Sequence, residues 1–283
     1  MHAVHQLEED AGAPLIASPL PQTSGLSIAR RTSDINLIKM TASASDIAEI
    51  IARSIAAIIG VGPGTGRAVS LRFAREGFSV ALVGRTASKS KSIEDEIKSI
   101  PSFQGKVASF SADVTQESSL RKAFSDIREQ LGDPEVLVYN ASGFARGGIL
   151  DLKTADVEGA LRSSTLGALI SVQEVLPAQV KNKKGTVIFT GATASKKGSA
   201  GFAGFAIGKW GLRALAESTA REFGPQGVHV SHVIIDGVID VENKDIDGRI
   251  DPEGIADTYW HLHSQHPSAW TFELELRPYR EKW

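Results

Sequence analysis

The 283-residue chain has no cysteine. That excludes disulfides, thiolate nucleophiles and cysteine-ligated zinc, and it permits a reducing compartment without requiring one. Tyrosine is scarce, with only Tyr139, Tyr259 and Tyr279, so few phenols are present to move protons. Neither charge sign dominates: 31 Lys and Arg meet 33 Asp and Glu, for a formal net charge of -2. This balance provides no general attraction to nucleic acid or to an anionic membrane. No stretch is long and apolar enough to span a bilayer. The most apolar early run, Ile47–Val61, is broken by Arg53 and ends in glycines. Of the seven histidines (His2, His5, His229, His232, His261, His263 and His266), His261 and His263 stand two apart. That spacing suits neither one helix face nor a zincin motif, and no metal site is expected. The expected partner is a small molecule, with no nucleic-acid or membrane partner, and the expected location is cytoplasmic.

What remains is the composition of a folded α/β protein, 42% hydrophobic and 23% charged. The first 46 residues differ from the rest. They carry Pro14, Pro19 and Pro21 with many Ser and Ala and no sustained period, and are read as a flexible N-terminal extension. Glu8, Glu9 and Asp10 fall where a signal or transit peptide would be basic. Met40 offers a second start, so residues 1–39 are expected to be dispensable. Residues 47–283 are expected to form one domain.

From Ser54 the chain alternates in period. Short apolar runs at 54–60, 79–84, 106–111, 135–139, 185–190 and 228–235 read as strands, with a last one near 269–276. Several are continuously apolar, as strands covered on both faces are. Helical patterns fill the gaps, at about 66–76, 89–100, 117–131, 154–180 and 203–223. In the fourth, Val157, Leu161, Ala168, Val172 and Val175 trace one stripe. The alternation predicts a Rossmann-type, doubly wound parallel sheet of about seven strands with helices on both faces. A ligand would bind at the carboxyl ends of its strands.

The first strand runs into Gly60–Val61–Gly62–Pro63–Gly64–Thr65–Gly66, and a helical pattern follows at once. Glycines let the backbone turn sharply and let a pyrophosphate approach, and the amides at the helix start then hold the anion. The strand–turn–helix setting makes Gly60, Gly62, Gly64, Thr65 and Gly66 a candidate phosphate cradle. The second strand ends in Gly84–Arg85–Thr86. A carboxylate here would hold a ribose 2′-hydroxyl, whereas a guanidinium can grip a 2′-phosphate through two hydrogen bonds. Arg85 therefore selects NADP(H) as the expected cofactor.

Over residues 54–241 these features resemble the short-chain dehydrogenase/reductase family. Its glycine motif matches Gly60, Gly64 and Gly66, with Ile59 in place of a threonine. The resemblance assigns Asp113 to the adenine edge, with a helix cap as the other reading. Tyr139–Asn140–Ala141–Ser142–Gly143 is similar to the family's N-N-A-G, where Asn140 holds the turn or meets the ribose. The family's catalytic lysine is matched by Lys209, but its tyrosine, four earlier, falls on Phe205. The serine falls on Ala192, with Thr193 beside it, and the helix asparagine falls on Ser164. The enoyl reductases of the superfamily place tyrosine seven before lysine, and that position is Phe202. Asp236–Gly237 stands for the family's Pro-Gly, Ile239 is expected to meet the nicotinamide carboxamide through its backbone, and Val241 replaces a frequent threonine.

A phenylalanine has no proton to exchange, so the family's relay is broken. Lys209 is left to hold the nicotinamide ribose, and Thr193 and Ser195 are hydroxyls placed to orient a substrate oxygen. Tyr259, within a segment at 251–263 that is expected to cover the pocket, is a further conceivable acid. The charged stretch 241–251 reads as a substrate lid. The implied activity is NADP(H)-dependent oxidation or reduction of a small carbonyl, alcohol or activated double bond. The alternative is a non-catalytic NADP(H)-binding sensor or scaffold. The family's habit of pairing its two long helices implies a homo-oligomer through 154–180 and 203–223.

Overall fold

The structure, a computed structural model, describes residues 54–280 except 243 and 245–247. The extension at 1–46 lies outside the described residues, as does part of the expected lid at 241–251.

Seven strands form one sheet: β1 (Ile55–Ile59), β2 (Ser79–Gly84), β3 (Val107–Ser111), β4 (Val136–Tyr139), β5 (Gly185–Ala192), β6 (Val228–Ile235) and β7 (Glu273–Leu276). Their spatial order is β3-β2-β1-β4-β5-β6-β7, and every pairing is parallel. The chain leaves β1 toward β2 and β3, then returns to place β4 on the other side of β1. That reversal opens a crevice at the carboxyl ends of β1 and β4, where such sheets bind ligands.

The central strands are buried on both faces because alternate residues enter two separate cores. Ala57, Ile59, Val187 and Phe189 face α3 (Glu117–Gln130), α5 (Gly167–Asn182) and α6 (Ala203–Phe223). Ala56, Ile58 and Ile188 face α1 (Thr65–Arg75), α2 (Ala87–Lys98) and α7 (Pro252–Ser264). This is the doubly wound arrangement expected from the alternating pattern.

Three details depart from the sequence reading. The expected helix over 154–180 is divided into α4 (Thr154–Leu161), a π turn at Arg162–Leu166, and α5. The Tyr139 hydroxyl donates to the Ser163 carbonyl and so takes that oxygen from the regular ladder. Gly167 makes room for it, since a Cβ there would stand 2.3 Å from the Tyr139 oxygen. The last strand begins at Glu273 rather than near residue 269, because Pro267–Ala269 form a 3-10 turn. The segment 251–263 does not cover the crevice. It forms most of α7, which packs on α1 through Phe73 and Trp260, whose rings are 5.6 Å apart, and through Arg75 with Glu253.

Candidate functional site

The β1–α1 turn brings the glycine-rich segment and the start of α1 to the crevice. Gly60 has φ +90°, and a Cβ on it would stand 2.5 Å from the Ala141 amide nitrogen, so only glycine fits there. A Cβ on Gly66 would stand 2.9 Å from the Gly60 oxygen, whereas Gly62 has open space around it. Asn140 latches the two strand ends together: its amide donates to the Ile59 oxygen at 2.8 Å and its Nδ2 to the Gly60 oxygen at 2.9 Å. These bonds hold the turn, and Asn140 also lines the crevice on both sides. Helix α1 starts without a side-chain cap and without an acid in its first turn. Thr65 Oγ1 is buried there without a hydrogen-bond partner. An uncapped helix start with an orphaned buried hydroxyl is chemically incomplete, and a phosphate oxygen would complete it.

A groove of about 560 Å³ runs from this turn past Arg85 and Asp113. Arg85 is exposed at the tip of β2. Asp113 Oδ1 accepts from the Thr115 amide at 2.9 Å and the Thr115 hydroxyl at 2.8 Å. Those bonds, with the Arg85 charge, hold its carboxyl below the ordinary range despite some burial. Asp113 thus shapes a turn ahead of α3, whose N-cap position is Gln116 and carries no side-chain cap.

The other end of the crevice is a cavity of about 510 Å³ that shares Asn140, Ser142 and Phe144 with the groove. Lys209, Thr193 and Ile239 all lie on its wall. Lys209 is buried and its Nζ donates to the Thr190 carbonyl at 2.7 Å. Burial pulls its pKa down to about 8. Phe205 tilts against Phe144 with centroids 5.1 Å apart, and Phe144 meets Phe202 edge-on at 6.0 Å. This apolar wall offers no donor where the resemblance would place a phenol. The loop at 237–241 is tied to Ile250 by the bonds Asp240 N to Ile250 O and Ile250 N to Val238 O, both 2.9 Å. Val241 presses toward the glycine turn: a Cβ on Gly64 would stand 2.8 Å from its Cγ1.

Two candidate contributors, Tyr259 and Ser195, are withdrawn from the cavity, and Ser164, at the family's asparagine position, is structural. Tyr259 is fully buried on the α7 side, its hydroxyl 2.8 Å from Thr190 Oγ1, and burial raises its pKa. It cannot reach a substrate as an acid. Ser195 is fully buried and its Oγ accepts from the Ala192 amide at 3.1 Å. Ser164 is buried, 3.2 Å from the Ser142 hydroxyl, and accepts from the Gly143 amide at 3.3 Å, so it braces the β4 exit.

Sequence reasoning missed one cluster. Thr193 donates to Asp236 Oδ1, and Arg277 is paired with Asp236 Oδ2. An acid in place of the family's proline was the available signal. Among the described residues, no group of His, Asp and Glu is arranged to hold a metal ion.

A parallel sheet with a glycine cradle at its first turn and a groove leading to a buried lysine defines a Rossmann-type dinucleotide-binding protein. The short chain dehydrogenase family model matches residues 54–245. A short-chain dehydrogenase/reductase of Armillaria gallica is 30% identical over 178 residues, covering 62% of this chain and 68% of that protein. Human 3-oxoacyl-[acyl-carrier-protein] reductase is 27% identical over 180 residues, covering 63% and 73%. Among solved structures, a short-chain dehydrogenase from Rhodopseudomonas palustris is 32% identical with a TM-score of 0.71, covering 80% of this chain and 99% of that one. A metagenomic short-chain oxidoreductase in complex with NADP is 25% identical with a TM-score of 0.72, covering 82% and 99%. The chain belongs to the short-chain dehydrogenase family, whose members are oxidoreductases that use nicotinamide cofactors.

Proposed function

We propose that the protein is an NADP(H)-dependent oxidoreductase of a small organic carbonyl, alcohol or activated double bond, with a proton relay unlike its family's. One observation carries this reading: Lys209 is kept buried on the cavity wall while the tyrosine before it is Phe205. A buried ammonium is unfavourable for the protein alone and is understandable if a ribose completes its hydrogen bonds. In this reading the amides at Gly60, Gly62, Gly64, Thr65 and Gly66 hold the pyrophosphate. Arg85 holds the 2′-phosphate, Asp113 the adenine edge, and the Ile239 backbone the carboxamide. The bound cofactor supplies or takes a hydride. Thr193 serves as the polar group toward the substrate, and Phe144, Phe202 and Phe205 exclude water. Exposed apolar residues on α5 and α6 support a homo-oligomer.

The second reading, a non-catalytic NADP(H) sensor, is favoured by Ser164, Ala192 and Phe205 all lacking the family's chemistry. One experiment separates the two. NADPH and NADH are titrated directly, and nicotinamide absorbance is followed with ketones, enones and, in reverse, alcohols with NADP+. NADPH binding with turnover supports the oxidoreductase. Binding without turnover supports the sensor, and absence of binding overturns both.

A further inference from the structure

The Asp236 carboxylate at the end of β6 is buried, and the guanidinium of Arg277 is paired with its Oδ2. A buried carboxylate against a guanidinium is held ionised. An ionised carboxylate can only accept, so the one proton of Thr193 is committed to Asp236 Oδ1. What the Thr193 oxygen has left is lone pairs, and Thr193 lies on the same cavity wall as Lys209 and Ile239. A polar group meeting it there must donate. A hydroxyl satisfies that condition and a carbonyl oxygen does not.

We propose that Thr193 accepts the proton of an alcohol substrate and passes its own to Asp236, so that the pair replaces the missing tyrosine in the oxidative direction. This step rests on the oxidoreductase reading above. The substrate's C–H bond breaks and its electron pair leaves as hydride to the nicotinamide ring of NADP+. The O–H bond breaks toward Thr193 Oγ1, the former Thr193 proton moves to Asp236, and solvent later takes it. The products are a ketone or aldehyde, NADPH and one proton. As the hydride leaves, the alcohol becomes a protonated carbonyl, which is acidic enough for even a weakly basic carboxylate to deprotonate. The reverse reaction needs a protonated Asp236, which is rare at neutral pH. Thr193 touches the substrate, whereas Asp236 acts through it as a positioning residue. The Phe144, Phe202 and Phe205 rings favour an alcohol with an aryl or other flat apolar body.

The charges around Asp236 come from several elements. Arg277 pairs with it directly and also with Glu275, Lys197 adds positive charge from the loop after β5, and Lys196 pairs with Glu275. Lys209 lies on the same cavity, bound to the Thr190 carbonyl. Against the effect of burial, the Thr193 hydrogen bond and then Arg277 and Lys197 keep the carboxyl below its ordinary range.

The test uses the full chain with NADP+ and the pair 1-phenylethanol and acetophenone. By calorimetry the alcohol binds more tightly than the ketone by roughly 2- to 12-fold, the worth of one hydrogen bond. Thr193→Val erases that preference. Asp236→Asn also erases it, because the amide can donate to Thr193 and turn the hydroxyl proton outward. Thr193→Ser retains it. Alcohol oxidation falls about 10²–10⁴-fold in the first two variants and returns in the third. Wild-type oxidation is level from about pH 6 to about pH 9, since Asp236 is ionised throughout. A rise through about 8 would assign the base to Lys209 and overturn the proposal. So would an alcohol preference or an oxidation rate that survives Thr193→Val. If Asp236→Asn does not fold, Thr193→Val and the pH profile decide alone. Failure of the underlying reading is distinct: the unmodified chain then shows no affinity for NADP+.

Discussion

The Lys209 ammonium lies 5.8 Å from the Phe205 ring centroid, and the two side chains share one face of α6. Phe205→Tyr therefore places a phenol beside a buried cation, which favours the phenolate and makes the group a usable acid. Ketone reduction by NADPH is expected to rise by about 10²-fold if the missing proton donor limits the rate. Ala192→Ser alongside it supplies the second hydroxyl and should add to the gain. Stopped-flow NADPH oxidation on one ketone panel measures both variants. No gain in either would show that proton donation at position 205 is not limiting.

Lys209 also makes stability depend on pH. Its folded pKa is lowered to about 8 from an ordinary 10.5. Between those values the unfolded chain binds more protons than the folded one, so stability rises with pH across that window. Below it, the native state carries the full penalty of a buried charge. Lys209→Met removes this dependence. The melting temperature of the cofactor-free wild type, measured relative to Lys209→Met, should climb from about pH 8 to about pH 10.5. A flat difference would show that Lys209 is solvated.

The legible parts of the molecule were those determined by local chemistry. β2, β6 and α6 have the bounds their periodicity predicted, 79–84, 228–235 and 203–223. The β1–α1 turn could be placed on the crevice because a strand–turn–helix unit can be read within a dozen residues, whereas Asn140 and Lys209 were legible only through the family resemblance. The parts that were missed depend on contacts distant in sequence. The π turn arises from Tyr139 bonding a carbonyl 24 positions away. Tyr259 looked available because an amphipathic helix does not reveal which sheet face it covers. Asp236 and Arg277 are 41 apart, and neither announces the other in sequence. The Phe144–Phe202–Phe205 wall likewise needs a loop and a helix start brought together by the fold.

Leu166 and Leu169 on one side, and Ile207 and Trp210 on α6, are each more than a third exposed. Large apolar side chains at three-residue spacing on neighbouring helices form a surface that a monomer would leave wet. Two-fold pairing would bury it against its own copy. Trp210→Glu puts a charge in that seam and should lower the mass seen by light scattering at micromolar concentration, with the circular dichroism unchanged. A wild-type protein that is already monomeric would overturn this expectation.

In the proposed reading, Arg85 decides between the two nicotinamide cofactors. The tip of β2 reads Gly84–Arg85–Thr86 and has no carboxylate to hold a ribose 2′-hydroxyl. The nearby acid, Asp113, has its Oδ1 occupied by Thr115 and sits across the groove. A guanidinium meeting a 2′-phosphate makes charge-assisted bonds worth about 1.5–3 kcal/mol, whereas NADH offers it only a hydroxyl. Arg85→Ala should weaken NADPH binding by about 10- to 100-fold and leave NADH binding nearly unchanged. Raising the ionic strength should reduce the wild-type preference in the same direction, because Arg85 is exposed and its attraction is screened. Paired calorimetric titrations at low and high salt measure both effects. Equal affinity of the unmodified protein for NADPH and NADH would remove Arg85 from the site, and an NADPH preference that persists in Arg85→Ala would move the 2′-phosphate contact to another cation.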